Sequence, residues 1–105
     1  MHIQVNTDKN ISGDEILAQR VEEILNHALS RFAGQITRLE VHLSDENSTA
    51  KSGGIDKRCL LEARIAGRDP TSTSDVAETV AQSVTGAAKK MVSQLESELG
   101  KLAKH

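Results

Sequence analysis

The chain has 105 residues, 37% of them hydrophobic and 1% aromatic, which allows one modest aliphatic core with Phe32 as its sole ring besides histidine. A formal net charge of -2 excludes a global positive field steering the protein to nucleic acid, and the scarcity of rings argues against a platform that stacks several bases. The single cysteine, Cys59, excludes an internal disulfide and a multi-thiol metal site.

In chain order, Met1, Ile3 and Val5 alternate with His2, Gln4 and Asn6, predicting a short first strand. The N-terminus lacks the charged and apolar regions of a signal peptide, and no apolar run approaches membrane-spanning length, so the expectation is a soluble cytoplasmic protein. Ser12-Gly13-Asp14-Glu15 fits a capping box with Ser12 as N-cap, and Ile11 and Ile16 are spaced as a hydrophobic staple. Leu17, Val21, Ile24, Leu25, Ala28 and Phe32 then repeat at helical spacing, predicting a first helix from about Asp14 to Ala33 with Gly34 as its C-cap.

Between Thr37 and Leu43, residues Leu39, Val41 and Leu43 alternate with Arg38, Glu40 and His42, the mark of a half-buried strand. A polar, glycine-containing connection follows, from Ser44 to Gly54. Lys57 to Ile65 alternates again, with Cys59, Leu61, Ala63 and Ile65 on the dry side. The two runs read as an antiparallel pair, and a connection of this length points to a functional or unstructured loop. Cys59 falls in the dry set, as a buried core thiol would. Gly67-Arg68-Asp69-Pro70 predicts a turn, and Thr71 to Ser74 a short edge strand, since Pro70 cannot donate to a ladder. From Val80, residues Val84, Ala88, Met91, Leu95, Leu99 and Leu102 sustain helical spacing, interrupted only by Gly86, whose expected role is close packing. The fold expected is α+β, in the order β-α-β-β-β-α: a four-stranded mixed sheet, its first two strands parallel, with both helices on one face, forming a single domain over residues 1–105.

No catalytic constellation is visible. His2, His27, His42 and His105 lack metal-ligand spacing, no serine lies in a nucleophile-elbow context, and Gly53-Gly54 lacks the lysine and helix start of a phosphate loop. The reading is therefore a non-enzyme with neither metal nor cofactor. What remains is basic residues: Arg31 and Arg38 flanking the first helix, Lys57 and Arg58 after the loop, and Lys89, Lys90 and Lys101 on the last helix. With both helices side by side, these charges could line a groove suited to RNA backbone. On pattern alone, Lys and Arg interspersed with Glu62, Glu96 and Glu98 are more often an ordinary solvated surface.

Three stretches carry a resemblance: Ile36-Thr37-Arg38-Leu39-Glu40-Val41-His42-Leu43-Ser44-Asp45-Glu46-Asn47, Asp56-Lys57-Arg58-Cys59-Leu60-Leu61-Glu62-Ala63-Arg64, and Val84-Thr85-Gly86-Ala87-Ala88-Lys89-Lys90-Met91-Val92-Ser93-Gln94-Leu95. With them the chain resembles a short, small-protein branch of the ribosome hibernation-promoting factor and ribosome-associated inhibitor family (sigma-factor modulation proteins). The resemblance implies binding to the small ribosomal subunit, in the channel used by messenger and transfer RNA, and inhibition of translation by occlusion. Lys90 and Lys101 match lysines on the RNA-facing side of the family's last helix, and His27 lies near a commonly basic position. Ser93 stands where arginine is common, and Glu96, Ser97 and Glu98 where lysine is. The candidate RNA contacts are Arg31, Arg38, Lys57, Arg58, Lys89, Lys90 and Lys101. The rival expectation is a protein-interaction module of the same fold whose acidic loop, with Asp45 and Glu46, meets a basic protein.

Overall fold

The computed structural model describes residues 1–46 and 56–103, the side chains of 100–103 excepted. The elements follow the expected order: β1 (His2–Thr7), α1 (Glu15–Ala28), a 3-10 turn (Ser30–Phe32), β2 (Ile36–Asp45), β3 (Lys57–Ile65), β4 (Thr71–Ala77) and α2 (Val80–Ala103). The four strands lie in sequence order across one sheet, β1 parallel to β2 and the other neighbours antiparallel. This is an α+β fold with a mixed sheet.

Strand alternation decides which face is dry. Leu39, Val41 and Leu43 of β2 and Cys59, Leu61, Ala63 and Ile65 of β3 are buried against Val21, Leu25 and Leu29 from α1 and its C-cap and Val84, Ala88, Met91 and Leu95 from α2. The registers Val41↔Leu61 and Leu43↔Cys59 set these side chains directly opposite one another on the helix side. Burying a Leu- or Val-sized side chain contributes about 1.5–3 kcal/mol, so this aliphatic layer supplies the main stabilisation without large rings. The opposite face carries His2, Gln4, Arg38, Glu40, His42, Arg58, Glu62 and Arg64, uncovered by either helix.

Helix boundaries differ from the sequence reading. Asp14, not Ser12, caps α1: its Oδ1 accepts from the Leu17 amide at 2.9 Å. Ile16 is 78% exposed and makes no staple with Ile11. The helix stops at Ala28 rather than Ala33, because Leu29 leaves helical geometry at φ -107, ψ 16 and Ser30–Phe32 tightens into a 3-10 turn that buries Phe32. The C-cap is accordingly Leu29 and not Gly34. The reciprocal capping box occurs instead at α2: Thr79 Oγ1 accepts from the Gln82 amide at 3.1 Å, and Gln82 Oε1 accepts from the Thr79 amide at 3.3 Å.

β4 lies at the edge as expected but runs three residues beyond Ser74, to Ala77. The preceding turn closes two residues early, with the Arg68 amide donating to Ile65 O at 3.1 Å and Gly67 in the left-handed region at φ 74. Gly86 is where α2 touches this strand. A Cβ there would collide with the Asp75 carboxylate, so glycine lets the helix and this side chain lie as close as they do. Thr73 Oγ1 donates to Ala87 O at 2.9 Å, and Lys90 Nζ donates to Ser74 O at 2.8 Å and Asp75 Oδ1 at 3.1 Å. α2 is thereby held on β4 by polar contacts as well as by its apolar stripe.

Candidate nucleic-acid interface

The cations singled out in the sequence do not form one patch. Arg38 and Arg58 point to the open sheet face, because each alternates with buried neighbours, Leu39 and Cys59, that take the helix side. The expectation that Arg38 flanks the helix groove is therefore not met. Arg38 Nε lies 3.1 Å from Glu40 Oε2, and its other guanidinium end is hydrogen-bonded to the Gln4 side chain. Glu40 is also approached by His42 at 3.6 Å and Arg64 at 3.9 Å, while Arg64 reaches Glu62 at 3.8 Å. Opposite charges are interleaved across this face.

At the loop end of the sheet, Lys57 Nζ contacts Asp56 at 2.8 Å and Asp45 at 3.4 Å. The hydrogen bond to Asp56 is the larger reason the ammonium's pKa is raised, with Asp45 adding to it against partial desolvation. Arg58 lies 3.8 Å from Glu46. Asp45 and Glu46, the acids of the rival reading, thus each face a cation of the next strand. Residues 47–55 of the connection lie outside the described residues.

On the helix side, Arg31 pairs with Glu96 at 3.0 Å and stacks over Phe32 at 5.0 Å from the ring centroid. Lys90 is taken by Asp75 and Ser74. Lys101 lies in the last turns of α2, eleven residues and three turns beyond Lys90, with its side chain outside the described residues. Lys89 differs from the others: among the described residues no acid comes within ion-pair distance of it. Nor does one approach Arg20, a residue absent from the sequence-derived set.

These two cations converge. Arg20 from α1 and Lys89 from α2 both line a cleft of about 320 Å³ with Ile24, Gln82, Thr85 and Gly86. A second cavity of about 620 Å³ adjoins it, sharing Ile24, Thr85 and Lys89 and adding His27, Ala28, Val92 and Ser93. The result is one groove along the α1–α2 seam with a half-buried aliphatic floor and a rim of Arg20, Lys89 and His27. One sequence signal could have revealed Arg20. It stands seven residues before His27, two turns away, and four before Ile24, so all three share a helix side.

The described residues contain no group of three or more His, Cys, Asp or Glu able to hold a metal ion, and no helix long and apolar enough to cross a membrane. Cys59 is fully buried, and burial, reinforced by the negative charge of Asp75, pushes its thiol up to about 12, far from nucleophilic range near neutrality. The Gln94 side chain and then the Thr71 hydroxyl, both donating to Glu98, hold that carboxyl below its ordinary pKa despite some desolvation.

The family described as sigma 54 modulation protein / S30EA ribosomal protein matches residues 4–103. The chain belongs to this family. Members are ribosome-associated modulation proteins, which supports a ribosome-associated role for the chain in general terms. The fold is shared with the Protein Y N-terminal domain of Thermus thermophilus, at a TM-score of 0.72 and 14% identity over 92% of this chain and 98% of the other. It is likewise similar to a ribosomal subunit interface protein from Coxiella burnetii, at a TM-score of 0.75 and 15% identity over 95% and 99% of the two chains. No curated protein matches the chain in sequence.

Proposed function

We propose that this family member is a cytoplasmic translation inhibitor that binds the small ribosomal subunit through ribosomal RNA and acts by occlusion, without chemistry. The observation that carries this reading is the convergence of Arg20 and Lys89, neither with an acid in reach among the described residues, on a single groove between the helices. A cation already held by a carboxylate gains little from a phosphate, since one pairing must break before the other forms. An uncommitted one releases condensed counterions from RNA at no such cost. Lys89 and Arg20 are therefore the primary contacts. Lys90 and Arg31 are secondary contacts, available after exchanging Asp75 and Glu96 for phosphate, and Lys101, three turns beyond Lys90 along α2, is a further candidate. Arg38, Lys57 and Arg58, held among acids away from this groove, contribute long-range attraction only.

The test is sedimentation with purified ribosomal subunits at low and high salt. The expected result is pelleting with small subunits at low salt, lost in Lys89→Glu with the circular dichroism spectrum unchanged. Protein remaining unbound at low salt with subunits in excess would refute the reading. Asp45 and Glu46 are matched by Lys57 and Arg58, which disfavours the alternative of an acidic loop docking a basic protein.

A further inference from the structure

A phosphate-binding surface needs cations and hydrogen-bond donors; it does not need an aliphatic floor. The α1–α2 groove has one. Ile24, Ala28 and Val92 are half-buried beneath the 620 Å³ cavity, and the polar groups stand at its edge: the His27 imidazole, the Ser93 hydroxyl and Thr85. Thr85 donates its hydroxyl proton to Ala81 O at 2.9 Å, which leaves its oxygen lone pairs facing outward as acceptors. Water over such a floor is poorly hydrogen-bonded, so a flat apolar object with a polar edge displaces it favourably. An unpaired nucleobase has that shape, and the phosphates on either side of it are what Arg20 and Lys89 would neutralise.

We infer that the groove accepts an unpaired RNA nucleotide, its base against Ile24, Ala28 and Val92 and its flanking phosphates on Arg20 and Lys89. The inference rests on the RNA-binding reading above and deepens it by naming the RNA element. Continuous duplex cannot use the floor, because its bases are stacked and paired inside the helix. An amphipathic peptide helix fits less well, because its apolar anchors leave the Arg20 and Lys89 rim without the phosphates that would neutralise it. The aliphatic floor also supplies the surface for one base that the chain's missing aromatics cannot.

The experiment compares three fluorescently labelled RNAs with the same stem: uninterrupted, carrying one bulged nucleotide, and carrying an abasic bulge that keeps every phosphate. The bulged RNA is expected to bind about tenfold more tightly than the other two, as for one base covering apolar side chains. Ser93→Phe, which fills the groove from an exposed position, should abolish that preference. Lys89→Gln should weaken all three RNAs alike. Equal affinity for the bulged and abasic RNAs, with both weakened by Lys89→Gln, would overturn the inference while sparing the RNA-binding reading. Failure of every RNA to bind would remove both. Displacement of the bulged RNA by an acidic peptide that binds more tightly, and loses affinity in Ser93→Phe, would assign the groove to a protein partner and overturn the inference.

Discussion

The open sheet face and the groove between the helices both carry cations, and they differ in how those cations are partnered. On the open sheet face Arg38, Arg64 and His42 surround Glu40, Arg64 also meets Glu62, and Arg58 meets Glu46, so each described arginine there has a carboxylate within 4 Å. In the groove between the helices Arg20 and Lys89 have none among the described residues. Net charge is blind to this difference, since a chain at -2 can still present a locally unopposed pair of positive groups. Anion affinity follows from which charges are already committed, more than from how many there are.

The comparison breaks most directly by charge reversal. Arg20→Glu with Lys89→Glu should weaken small-subunit binding by an order of magnitude or more at moderate salt and reduce the slope of log affinity against log salt by about two. Arg38→Gln with Arg64→Gln should change binding less than about twofold, because those guanidiniums are engaged with acids whose release offsets the lost attraction. Equal losses from both double variants, read by sedimentation at several salt concentrations, would erase the distinction between the faces.

At Gly86, on the border of the groove, α2 also lies close on β4. Gly86→Ala, which forces a methyl group against Asp75, should destabilise the fold by about 1–3 kcal/mol in urea unfolding. Adding Asp75→Ala should recover part of the loss if the clash is the cause. Smaller again, Asp14→Ala should cost about 1 kcal/mol through loss of the α1 cap, against a few tenths or less for Ser12→Ala. A larger effect at Ser12 would restore the capping box that the sequence suggests. Arg38→Gln alone should stay below about 1 kcal/mol, the range of partly exposed ion pairs.

The smallest effect near neutrality belongs to Cys59. Its folded-state pKa of about 12 lies above the ordinary 9.0, so the folded state holds the thiol proton more tightly than the unfolded state. That contribution is complete below the ordinary value and is lost as pH rises from there toward about 12. Stability should therefore be flat around neutrality with respect to this group and decline in alkali. Iodoacetamide should label Cys59 only on unfolding; rapid labelling of the native protein at neutral pH would contradict its burial.

Sequence legibility followed the range of the forces involved. Period-two and helical spacings record which side chains face the core, and they located the four strands and two helices of the described residues. What they could not decide turned on one or two residues' backbone angles. The spacing of Leu25, Ala28 and Phe32 suits a continuing helix, yet Leu29 ends it, and only the dihedral angles distinguish the two. Ser12 and Asp14 both precede a first turn, and the winner is whichever side chain reaches an amide. The pattern Thr79-Val80-Ala81-Gln82 carries the same threonine-to-glutamine spacing as a capping box, and it is this pair that closes reciprocally. Site residues were least legible. Arg20, Arg38 and Lys90 are alike in a one-dimensional string, and only three-dimensional neighbours reveal that Glu40 and Asp75 occupy two of them.

Lys90 has a consequence of its own. Its ammonium holds a main-chain carbonyl of β4, a border strand made mostly of serine, threonine and small apolar residues. A border of this composition is a template onto which a neighbouring molecule could add its own extended segment, the first step toward precipitation. The lysine guards that border, so Lys90→Glu would both change charge and unlatch the rim. Turbidity at high protein concentration should therefore rise in Lys90 variants and stay low in Lys89 variants, which makes Lys89 the cleaner position for every binding experiment on this protein.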